Sequence, residues 1–234
     1  MTKRIAIVAA TGKEVQPLLD FLKVEATQQA FQSFKLHSLT IDIIFSGIGI
    51  LQTTYTLMDY LSHHHPDAWI QMGIGGAFDP SLSIGDVYLI ESEVLVEFGA
   101  EDRDGRIIDQ FELEWMDTDH FPYEDGRLHC PHISEKIPLL TASGMTSIHS
   151  HGYAPQIAQL RKNVHGQIEN MEGASFFYTS LMKKITFLSI RSISNYVEER
   201  DTKKWNFDLA IGNLNDAVIE LLSNGKIPQG ITNN

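Results

Sequence analysis

Residues 68–78 read AWIQMGIGGAF. An apolar run with only Gln71 as a polar member passes straight into Gly73, Gly75 and Gly76 and ends on Phe78. Such a run, bounded by glycine, has the pattern of a strand in a buried sheet rather than a half-solvated one. The glycines leave backbone N–H groups open to close approach at a strand's carboxyl end, where an anion or a ribose is held in open α/β sheets. A purely structural tight turn is the equal alternative. The spacing is not GxGxxG and no Walker lysine follows, so a P-loop is excluded and a dinucleotide fold is poorly supported.

Outward from this stretch, short Ile- and Val-rich runs at 4–10, 41–46, 86–98, 139–143 and 185–193 alternate with segments at 13–22, 51–64, 154–163, 173–183 and 207–223 that carry apolar residues at helical spacing. That alternation predicts an α/β fold, a largely buried sheet with helices packed on its faces. SGIG at 46–49 is a second glycine turn, leading into the helix near Leu51. The 234 residues suffice for one such domain, expected over 1–225, with Gly225 and Pro228 ending the last helix before a loose tail. At 43% hydrophobic and 21% charged residues the chain is an ordinary globular one. A net charge of -12 disfavours nucleic acid and anionic membrane as partners and leaves a small substrate. The basic N-terminus lacks an apolar stretch long enough for a signal peptide or membrane span, and Cys130 stands alone, so a reducing, cytoplasmic setting is expected.

Residues 99–131 break the alternation, being dense in acids. They read as a solvated excursion between strands, with Phe111, Trp115, Phe121 and Tyr123 as grounds for a lid or a subunit contact. No metal is expected. His63, His64 and His65 close a helix, His129, Cys130 and His132 lack a second ligand pair, and His149 and His151 read as bordering a pocket. There is no GxSxG elbow.

Two further places carry chemistry. Glu14 follows the first strand by four residues, which puts its carboxylate at the sheet's carboxyl edge or in the first turn of a helix. The strand ITFLSIRSISN ends in Arg191, Ser192, Ser194 and Asn195, polar groups that need partners if buried. In IENMEGASFFY, at 168–178, Glu169 and Glu172 flank Asn170 and Met171 at a helix start, where acids are favoured on structural grounds alone.

Taken in order, Glu14, SGIG, GIGGAF, SGM at 143–145, NMEGAS at 170–175 and RSISN at 191–195 resemble the purine nucleoside phosphorylase and nucleosidase superfamily, over nearly the whole chain. Within it, ENMEGA at 169–174 and the strand ending in Ser194–Asn195 are most similar to the futalosine hydrolases. The resemblance implies a doubly wound three-layer α/β sandwich with a mixed sheet, cleavage of a purine N-glycosidic bond, no cofactor, and a homo-oligomer. It assigns water activation to Glu14, ribose contacts to Met171 and Glu172, a place facing the purine to Asn195, and support to Arg191. Gly75, Gly76, Phe78 and Asn170 belong to the implied substrate site, with Met145, Ser147 and Ile148 as approximate base-site residues. Phosphorylases of this superfamily hold phosphate with arginines in the first glycine turn and in the strand before the second, and neither ATGK nor QMGIGGAF contains one, so water is the expected nucleophile. An asparagine at 195 can donate to O6 and accept from a protonated N7, which suits hypoxanthine and implies hydrolysis of futalosine in menaquinone biosynthesis. The alternatives are a nucleosidase for methylthioadenosine, S-adenosylhomocysteine or aminodeoxyfutalosine, and a non-catalytic nucleoside-binding protein.

Overall fold

Alternating apolar and amphipathic segments give, in the computed structural model, which describes residues 3–103, 105–133, 137–163 and 166–226, a chain of strands and helices. In order these are β1 (Lys3–Ala9), α1 (Gly12–Glu25), β2 (Thr27–Ala30), β3 (Ser33–Leu36), β4 (Leu39–Phe45), α2 (Ile50–His63), β5 (Ala68–Ala77), β6 (Val87–Leu95) and β7 (Gly99–Glu101). Then follow β8 (Ile107–Asp109), β9 (Leu128–His129), β10 (Leu140–Thr146), α3 (Ala154–Asn163), β11 (Ile168–Asn170), α4 (Gly173–Lys183), β12 (Thr186–Tyr196) and α5 (Phe207–Ser223).

The main sheet runs β11-β10-β6-β12-β5-β1-β4-β3-β2, with β9 added to β6. It is mixed: β1 lies parallel to β4 and β5, β12 is parallel to β5, and β10 is parallel to β6 and β11. β6 and β12 are antiparallel. The far end of β5 also pairs with β11, Glu169 opposite Gly76, so β5, β12, β6, β10 and β11 close into a ring. This closure explains a correction. GIGGAF was expected to turn out of the sheet, yet residues 73–77 continue β5 as strand. They can do so because they are small: a Cβ on Gly75 would lie 2.6 Å from Ile168 Cγ2 and 2.9 Å from the Glu169 carbonyl oxygen. The glycines admit β11 against β5.

Ile5 to Ala9 are fully enclosed, as a central strand requires. Val15, Leu18 and Leu22 form the buried stripe of α1, and Ala210, Leu214, Val218 and Leu221 that of α5. Phe176 and Phe177 of α4 meet Phe187 of β12 edge to face. Helices α3, α4 and α5 have the expected bounds; α1 starts one residue earlier and runs three further, to Glu25, and α2 is shifted one residue earlier at both ends. The β2–β3 hairpin and β11 were not anticipated. Residues 99–131 are not all solvated: Tyr123 and Leu128 join the main core, although Trp115 and Phe121 stay exposed. Residues 227–234, which include most of the expected tail, lie outside the described part. Among the described residues no helix is long and apolar enough to cross a membrane.

Candidate active site

Glu14 sits in the first turn of α1 and divides its two oxygens. Oε2 accepts from the Thr11 N–H (2.9 Å) and hydroxyl (3.0 Å), satisfying a donor left free at a helix start. Oε1 reaches across to the sheet and accepts from the Ile74 N–H at 3.2 Å. The cap and the sheet-edge site are thus the same carboxylate. Its backbone is fixed as well. Asn215 of α5 donates from Nδ2 to the Glu14 carbonyl (2.8 Å) and accepts at Oδ1 from the Leu18 N–H (3.0 Å), the two groups that an α-helix would pair with each other.

Glu172 stands at the N-cap of α4 but does not cap it. Asn170 performs that task, its Oδ1 accepting from the N–H groups of Glu172 (3.1 Å) and Gly173 (2.6 Å), while Thr146 Oγ1 accepts from Ala174 N–H (2.7 Å). The Glu172 carboxylate is therefore free to reach the SGIG turn, where Oε1 accepts from the Gly49 N–H at 3.0 Å. Its Oε2 lies 3.6 Å from Arg191 Nη1. Arg191 is buried, and among the described residues its Nε has no hydrogen-bond partner. Gly73 is what lets Glu14 and Arg191 approach: a Cβ there would lie 2.3 Å from Arg191 Nη1 and 3.1 Å from Glu14 Oε1. Glu14 of α1 and Arg191 of β12 thus pack over this one glycine of β5, and Glu172 of α4 joins them through Arg191. Burial pushes the Glu14 pKa up, with the Glu172 charge adding to the rise, and Arg191, the Ile74 N–H and Thr11 oppose it.

Asn195 lies farther along β12. The β12–β5 register slips between Ile193 and Asn195, a bulge at Ser194 that sets Asn195 opposite Gly76. Its Oδ1 accepts from the Ser194 hydroxyl (2.8 Å) and its Nδ2 donates to the Tyr196 carbonyl (3.0 Å). A carboxamide offers two N–H donors and two lone pairs, so one of each remains for a ligand.

The other expected substrate residues divide. Met171 is half-buried beside Glu172, and Ile148 is 67% exposed on the loop after β10. Gly75 and Gly76 line the β5–β11 seam. Met145 requires a correction as a base-site residue: it is fully enclosed in a small cluster with Phe78, Val96, Ile157 and Val197, because its position in β10 turns it away from the surface. Phe78 is a core member of the same cluster, with Arg161 over its ring. Asn170 is committed to protein groups, donating also to Glu93 Oε1 (2.9 Å) and the Met145 carbonyl (3.3 Å).

Glu93 is the residue that sequence reading missed. It is fully buried in β6, its Oε1 accepts from Thr146 Oγ1 (2.8 Å) and Asn170, and its Oε2 has no partner. Burial pushes its pKa up to about 7 against those hydrogen bonds and the charges of Arg191 and Arg127. β6 carries two acids, Glu91 exposed and Glu93 buried, so nothing local in the sequence singled out Glu93.

The phosphorylase superfamily matches residues 4–223. The chain is 36% identical over 96 residues to a 5'-methylthioadenosine/S-adenosylhomocysteine nucleosidase of Chromohalobacter salexigens, a match spanning 39% of this chain and 40% of that protein. It is 25% identical to a futalosine hydrolase of Thermus thermophilus, over 76% of this chain and 79% of the relative. In fold it is similar to the futalosine hydrolase structure from Helicobacter pylori, at a TM-score of 0.76 and 16% identity, covering 96% of this chain and 99% of that one. With a match over nearly its full length, a mixed sheet that agrees with such neighbours and a site built at the strands' carboxyl ends, the chain belongs to the phosphorylase superfamily.

Proposed function

We propose that the protein is a purine N-ribosyl hydrolase that cleaves futalosine to hypoxanthine and dehypoxanthine futalosine. The observation that carries this reading is the convergence of Glu14 and Arg191 over Gly73, joined by Glu172 through Arg191, with Asn195 farther along the strand that bears Arg191. Cleaving a riboside builds positive charge on the sugar and negative charge on the departing base, and needs a water at the anomeric carbon. Glu14, with its pKa raised by burial, takes the proton from that water, and the buried Arg191 supports the paired carboxylates. Glu172 holds the ribose hydroxyls and places negative charge by the cationic sugar, an interaction that strengthens as charge develops. Met171 covers the sugar with a soft apolar surface.

Asn195 decides the base. Its spare N–H donates to O6 and its spare lone pair accepts from a protonated N7, which favours a 6-oxopurine leaving group. The names of relatives include both futalosine hydrolases and adenosine-type nucleosidases, and Asn195 is what favours the former here. The test of the site is Glu14→Gln. The expected outcome is turnover reduced by at least about 100-fold, the usual worth of a general base, with substrate binding retained by calorimetry. Undiminished turnover removes Glu14 as the base.

A further inference from the structure

We propose that Glu97, His149 and His151 form a binding site for a divalent transition-metal cation of the kind that imidazole prefers, zinc being the type case. One ligand atom from each lies within 4.8 Å of those of the other two. His151 Nε2 is 3.2 Å from Glu97 Oε1, and His149 Nδ1 is 3.7 Å from Glu97 Oε2. An ion with bonds of about 2.0–2.1 Å in tetrahedral geometry holds neighbouring ligands about 3.3 Å apart, so both histidines already stand near the required spacing from Glu97.

The strongest observation is at His151. Its ring is buried, and Nδ1 contacts the Glu169 carboxylate, while its backbone N–H donates to Glu169 Oε2 at 3.2 Å. An ionised carboxylate only accepts, so Nδ1 carries a proton; against the effect of burial, the Glu169 and Glu97 carboxylates raise the His151 pKa to about 9, so an ion binds at Nε2 by displacing a proton. Among the described residues the buried Nε2 has no hydrogen-bond partner, although Glu97 Oε1 is only 3.2 Å away. Two such atoms 3.2 Å apart have the spacing of neighbouring ligands of a shared ion. A carboxylate behind a metal-binding histidine fixes its tautomer and raises its basicity, which is the part Glu169 takes here.

Glu97 is oriented with similar care. It lies just beyond β6 with φ of 59°, and its oxygens accept from Gln156 Nε2 (2.7 Å) and the Ser147 hydroxyl (3.4 Å). It also lines a cavity of about 880 Å³ whose wall carries the acids Glu101, Asp109, Glu112 and Asp125 against a single cation among the described residues, Arg127, a balance that favours cations. His149 is half exposed, which leaves coordination positions open to solvent. His149 and His151 alone are a pair without a third donor, which is why no metal was expected; the third donor, Glu97, comes from a distant part of the chain, just beyond β6.

The competitor is a proton on Nε2, which would make His151 an imidazolium clamped between Glu97 and Glu169. Metal-stripped full-length protein is titrated with Co²⁺, followed by its visible absorption, and with Zn²⁺ in competition, beside His149→Ala, Glu97→Gln and Glu169→Gln. His149 is at the surface, so its variant keeps the fold, checked by circular dichroism. One equivalent of Co²⁺ bound with a visible spectrum, at an affinity lowered at least about tenfold in His149→Ala and Glu97→Gln and about 10–100-fold in Glu169→Gln, is expected. No saturable uptake, or uptake unchanged by His149→Ala and Glu97→Gln, overturns the site. The second outcome would place the ion elsewhere, such as at His63–His65.

Discussion

At the scale of single residues, the site rests on polar groups whose partners come from distant parts of the chain. Glu14, Arg191 and Asn195 were legible because a carboxylate just past a first strand and polar residues closing an apolar strand are unusual. Their partners were not legible. Nothing local in the sequence tells that Asn215 grips the Glu14 backbone or that Asn170 caps α4 so that Glu172 is free. Replacing Asn195 by aspartate swaps the amide donor for a group that, when protonated, serves an adenine-like base, so Asn195→Asp should raise the ratio of 6-aminopurine to 6-oxopurine turnover at least about tenfold. An unchanged ratio measured with matched nucleosides would place specificity elsewhere. Glu93 makes a second prediction. Its pKa is higher folded than unfolded, so the folded chain binds the extra proton between pH 4.5 and about 7, and stability falls as pH rises through that window. At about 1.4 kcal/mol per pKa unit, the window is worth roughly 3 kcal/mol. Denaturant unfolding of Glu93→Gln should lose that slope whatever its absolute stability, and an unaltered slope would mean Glu93 does not hold the proton.

At the scale of elements, hydrophobic periodicity located the helices and the long strands, and it failed where pairing depends on closure. GIGGAF reads as a turn because glycine usually ends a strand, whereas here the glycines are the strand's means of fitting between Arg191, Ile168 and Val197. β11 is three residues long, too short to show a period, and it exists because β5 and β10 offer it edges on both sides. The bulge at Ser194, which sets Asn195, leaves no trace in composition. This dependence is testable at Gly73. A methyl group there would press on Arg191 Nη1 at 2.3 Å, so Gly73→Ala should destabilise by about 1–3 kcal/mol and reduce turnover more than it weakens binding. A Gly73→Ala variant with native stability and turnover would contradict the packing argued for Glu14 and Arg191.

At the scale of the whole molecule, the fold brings α1, α4, β5 and β12 to one end of the sheet, and the acidic charge of -12 leaves a neutral or cationic partner favoured over an anionic polymer. The absence of arginine from the first glycine turn and from the strand before the second, already visible in the sequence, argues for water over phosphate as the nucleophile. These features meet in a single assay. Purified protein is incubated with futalosine, with and without inorganic phosphate, and the released base is identified by chromatography. The account predicts hypoxanthine at the same rate in both; strict dependence on phosphate, or failure to release hypoxanthine while methylthioadenosine yields adenine, would contradict it.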